Sequence, residues 1–68
     1  MTREYIRCHV EVVAKVYATR PLPAKVIDII TDKVAADPGV QAGNEFRLGE
    51  GCRHYIEEVN KLIEAAKK

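Results

Sequence analysis

Apolar and polar positions alternate almost without a break from residue 4 to residue 18. The even positions are Glu4, Ile6, Cys8, Val10, Val12, Ala14, Val16 and Ala18, all apolar after the first. The odd positions are Arg3, Tyr5, Arg7, His9, Glu11, Val13, Lys15 and Tyr17, mostly polar or amphipathic. A period of two sends successive side chains to opposite faces, so the pattern predicts one long, half-buried β-strand. Val, Ile and Tyr suit a pleated surface, and neither Gly nor Pro interrupts the run.

Thr19-Arg20-Pro21-Leu22-Pro23 breaks the strand, and proline fits the first turn of a helix, where its missing N–H would have had no partner. From Pro23 to about Ala36, Val26, Ile27, Ile29, Ile30 and Val34 fall on one helical stripe, while Asp28, Thr31, Asp32 and Ala35 face away. The β-branched residues of this stripe lower intrinsic helicity, so packing on the strand must support it. Asp37-Pro38-Gly39 ends the helix. In residues 40–50, Gly43-Asn44 is a tight-turn signal, and only Val40, Phe46 and Leu48 have the means to reach a core. A short hairpin, or one strand at Glu45–Leu48, is predicted there. Cys52, Tyr55, Ile56, Val59, Leu62, Ile63 and Ala66 then share a helical face about 120° wide. Glu57–Lys61 and Glu64–Lys68 are i, i+4 pairs in the favourable order, and Lys67 and Lys68 complement the helix C-terminus. The predicted class is α+β: a long strand followed by two amphipathic helices, β-α-(β)-α, in a single domain over residues 1–68.

The length of the strand bears on assembly. Its apolar face, Ile6 to Ala18, spans about 40 Å at the rise of an extended chain. A helix of about fourteen residues covers only about 21 Å. A lone strand also leaves backbone groups that must be paired, bent or covered. Completion by a homodimer, with strands pairing across a twofold axis, is therefore expected; a monomer with a kinked strand is the alternative.

Composition narrows the class. Hydrophobic residues make up 47% and charged residues 31% of the 68, which excludes a disordered chain. No window approaches the ~18 apolar residues of a membrane span, and Met-Thr-Arg-Glu-Tyr-Ile-Arg is not an apolar signal segment, so a cytoplasmic protein without membrane contact is expected. Cys8 and Cys52 are too few for a disulfide scaffold and sit on apolar positions, so both are expected as buried thiols. Net charge is +1, but residues 1–25 carry five Lys and Arg against two Glu, and residues 26–68 carry six against eight Asp and Glu. The predicted strand is the basic end.

Catalytic and metal chemistry find little support. Cys8-His9 and Cys52-Arg53-His54 hold the inventory of a zinc site. Neighbours on a strand diverge, however, and Cys52 and His54 lie about 200° apart on a helix. Serine is absent, which removes a serine nucleophile, and a Cys–His pair would need buried sulfurs to meet outward imidazoles. Glu57 and Glu58 read as a solvated surface. Gly39, Gly43, Gly49 and Gly51 precede no lysine at phosphate-loop spacing. No catalytic residue, metal or cofactor is assigned, and the chain is expected not to be an enzyme.

The open face of the strand is the candidate site: Arg3, Tyr5, Arg7, His9, Lys15 and Tyr17 alternate basic and aromatic groups, with Glu11 against them. Tyr and Arg are enriched at protein interfaces. Basic groups with tyrosine rings also suit phosphates and stacked bases. Alternatively, a second layer or a dimer mate covers this face. The expected function is a small regulator or inhibitor that docks on another protein, of the kind phages and mobile elements encode. A dimeric nucleic-acid-binding regulator using the strand is the alternative. A subunit whose site is completed elsewhere comes third.

Val16-Tyr17-Ala18-Thr19-Arg20-Pro21-Leu22-Pro23, followed by two amphipathic helices, resembles in pattern the ribbon-helix-helix family of DNA-binding regulators. The resemblance implies that outward strand residues read base edges in the major groove. The chain departs from that family in its far longer strand and in the length of residues 37–50, and no diagnostic motif accompanies the pattern.

Overall fold

Thr2 begins a helix, not a strand. In the computed structural model, which describes residues 1–67, the Thr2 side chain accepts from the backbone N–H of Tyr5 at 3.2 Å and caps α1, Arg3–Tyr17. Glu4 lies in the first turn and Lys15 in the last, each suited to the helix dipole there. The predicted long strand is therefore overturned, and with it the α+β class: the described residues hold four helices and no strand.

The physical reason lies in a coincidence of periods. Residues two apart are about 200° apart on a helix, whereas residues four apart nearly superpose. The even positions thus divide into two stripes. Ile6, Val10 and Ala14 point into the core, and Cys8, Val12 and Val16 point out of it. Val13, an apolar residue at an odd position, packs beside the inward stripe, as a helix allows and strict alternation does not.

α2, Ala24–Ala35, occupies almost the predicted range. Two of its residues exchange roles. Thr31 is buried, its hydroxyl donating to the Ile27 carbonyl at 2.7 Å, while Ile29 is 51% exposed. Asp37 then caps α3, Pro38–Gln41, whose Val40 is buried. Gly43 supplies the left-handed turn at φ 87°. Asn44 accepts from the N–H groups of Phe46 and Arg47 and opens α4, Glu45–Ala66. The hairpin or strand expected at Glu45–Leu48 is thus the first turn of the last helix. Its Leu48 is buried, and Phe46 is not. The predicted Glu64–Lys68 pair lies outside the described residues.

α1 and α2 are antiparallel, as are α2 and α4, so α1 and α4 run in the same direction as a three-helix bundle with α3 in the second connection. Ile6, Val10, Ile27, Ile30, Val34, Leu48, Cys52 and Ile56 meet in the core. At Gly51 the α4 backbone faces the Val34 side chain of α2, with room for a β-carbon at ordinary contact distance, 3.5 Å. Asn60 ties α4 to the end of α1: its amide donates to the Tyr17 carbonyl at 2.9 Å and accepts from the Thr19 N–H at 3.0 Å. Beyond that tie α4 continues to Ala66, and the molecule measures 40 × 18 × 17 Å. Strand pairing across a twofold axis has no strand to run through among the described residues.

Candidate functional site

All six predicted site residues lie on α1 or at its ends, but the helix distributes them around its circumference instead of along one face. Arg3 and Arg7 turn toward α2. Arg3 meets Asp32 at 3.0 Å, and Arg7 donates from Nε to Asp28 at 2.8 Å while also pairing with Glu11. The hydrogen bond from Arg7 holds the Asp28 carboxyl below its ordinary range, and Asp28 in turn raises Arg7. Tyr5 turns toward α4 and donates its hydroxyl to Glu45 at 3.2 Å, which raises the phenol above its usual value. His9 is half-buried. Tyr17 carries the Arg53 guanidinium 4.9 Å from its ring centroid. Lys15 alone of the predicted cations makes no ion pair among the described residues.

The helix gathers another set instead. Cys8, Val12 and Val16 form an outward stripe at four-residue steps, with Tyr5 beside it. Val12 is 61% and Val16 71% exposed. The repeat of apolar residues four apart was the available signal. The inward stripe has the same spacing, so the two together mimic strand alternation.

A second apolar surface lies between α2 and α4, away from α1. Val26, Ile29, Tyr55 and Leu62 give a groove there its apolar lining, with Lys33 on one wall and Glu58 on the other. Leu62 is 70% exposed. A more polar hollow at the other end of the bundle holds Asp37, Arg47, Glu50 and His54. Its Arg47 is engaged by Asp37 through two hydrogen bonds, which hold the carboxyl low and raise the guanidinium.

Cys8 is exposed, which corrects the expectation that both thiols are buried; Cys52 lies in the core, and burial pushes its thiol up to about 11. Cys8 and His9 are neighbours on α1, and Cys52 and His54 point inward and outward on α4. Among the described residues no three His, Cys, Asp or Glu side chains are placed to hold a metal ion. Among the described residues no helix is long and apolar enough to cross a membrane. No known family, curated protein or solved structure matches this chain.

Proposed function

We propose that this chain is a small non-catalytic regulator or inhibitor that docks on another protein through the outer face of α1. The observation that carries the reading is the stripe of Cys8, Val12 and Val16. From Cys8 to Val16 it runs about 12 Å along α1, at the rise of a helical residue. An apolar stripe at helical spacing is what a partner helix recognises, packing its own apolar side against it. The folding of this chain does not require the stripe, since the core is completed by Ile6, Val10 and Ala14 from the opposite side.

The charges of α1 favour a protein over a nucleic acid. Arg3 and Arg7 face carboxylates of α2, so their positive charge is largely neutralised within the chain. Phosphate binding draws on cations that are free to replace counterions.

The test compares wild type with a V12E/V16E variant. Both positions are exposed, so helical content and thermal midpoint are expected to change little. A specific protein captured by the wild type should be lost with the variant. Equal capture by the two would remove the α1 face from the reading. Oligonucleotide binding that collapses between about 50 and 200 mM salt would replace it with the nucleic-acid alternative.

A further inference from the structure

The groove between α2 and α4 offers a surface independent of α1, and its two walls differ in charge. The α2 wall carries Val26, Ile29 and Lys33; the α4 wall carries Tyr55, Glu58 and Leu62. Ile29 and Leu62 protrude on opposite walls, and the floor between them is apolar. We propose that a second copy of this chain occupies the groove, about a twofold axis running along the helices. Such an axis sets α2 of each copy against α4 of the other. Each Leu62 then enters the partner's hollow, and each Lys33 faces the partner's Glu58.

Three observations select a second copy over another occupant. The groove is self-complementary, with its base on one wall and its acid on the other. Side chains on a helix tilt toward its N-terminus, and α2 and α4 are antiparallel, so Lys33 and Glu58 lean toward a common level. Lys33 has no ion-pair partner among the described residues of its own chain; its amine rests 6.0 Å from the Tyr55 ring. Second, the net charge of +1 sets almost no repulsion between copies. Third, the apolar stripe of α4 continues through Leu62 past Asn60, where the tie to α1 ends, so it runs beyond what its own chain covers.

Sedimentation velocity from about 1 to 100 μM is the test, a range chosen to bracket micromolar association. Wild type is expected to shift with concentration from 7.6 kDa toward twice that mass. L62E and I29K replace exposed side chains and should retain helical circular dichroism while remaining at the mass of one chain. K33E and E58K alone should each raise the dissociation constant roughly fivefold, and the double charge swap should restore it. V12E, on the α1 face, should leave the dimer unchanged, which separates this inference from the docking function. A wild type that stays at 7.6 kDa throughout would overturn the proposal. So would a dimer that L62E and I29K leave intact.

Discussion

Arg7 donates from Nε to Oδ1 of Asp28 at 2.8 Å, joining α1 to α2 one helical turn from the point where Arg3 meets Asp32 at 3.0 Å. The residues of both pairs are four apart on their helices, in opposite chain directions, so the two contacts together fix the register of the antiparallel pair. Arg3 also lies 3.8 Å from Asp28, and a shift by one turn in either direction would set one of the two arginines against Ala24 or Ala36 in place of a carboxylate.

Acid should release this register. Asp28 and Asp37 are both held below the ordinary carboxylate value of 3.8, by Arg7 and by Arg47. A carboxylate with a depressed folded pKa contributes stability that is complete above its unfolded value and is lost as pH falls through the folded one. The thermal midpoint is therefore expected to hold from neutral pH to about 5 and to decline below about 4. A D28N/D37N variant should start lower at neutral pH and show a shallower acid decline. Calorimetry between pH 2 and 7 measures both slopes, and equal slopes would show that these pairs do not govern the acid limb.

Val10 and Val12 test the helix itself. Val10 is fully buried and Val12 is 61% exposed, although both fall on what strand alternation treats as one face. V10A is expected to cost about 2 kcal/mol through lost burial and the cavity left behind. V12A should fall within about 0.5 kcal/mol of wild type. Urea denaturation measures the difference, and similar losses at the two positions would be at odds with α1.

The same pair of valines shows how far the fold was legible. Helices α2 and the latter part of α4 could be read from the sequence because their apolar residues recur at mixed steps of three and four, which no strand reproduces. In α1 the fully buried residues recur at steps of four, Val13 alone adding a step of three, and the outward apolar stripe fills the even positions between them. Two helical stripes interleave into one false alternation. The deciding signals were local: Thr2 three residues before Tyr5 as a cap, and Arg7 four residues before Glu11 as a pair. Asn44 likewise marked a helix start that the glycines at 49 and 51 concealed. The candidate site depended on the same alternation: Arg3, Tyr5, Arg7, His9, Lys15 and Tyr17 share a face only on a strand, and α1 spreads them around its circumference.

Gly43 and Gly49 should respond in opposite ways to the same methyl group. Gly43 holds φ 87° in the turn before α4, where a β-carbon meets its own backbone, so G43A should cost about 1–2 kcal/mol. Gly49 lies inside α4, and a β-carbon there meets no atom within 4 Å. G49A should therefore raise stability by about 0.5–1 kcal/mol, chiefly by restricting the unfolded chain. Denaturation midpoints measured side by side decide this, and a destabilised G49A would mean that α4 does not continue through residue 49.

The two thiols should differ in reactivity by orders of magnitude. Thiolate is the reactive form, and burial pushes Cys52 up to about 11, which leaves about one molecule in a thousand ionised at pH 8. Cys8 stands in the open on the outer stripe of α1. An aromatic disulfide reagent should therefore label one thiol per folded chain quickly and the second only on unfolding. C8A should abolish the fast phase, and C52A should keep it; fast labelling of both in the native protein would place Cys52 outside the core. The rate at Cys8 also reports on docking. A partner bound along Val12 and Val16 should slow it, whereas self-association through the α2–α4 groove, on another side of the bundle, should leave it unchanged.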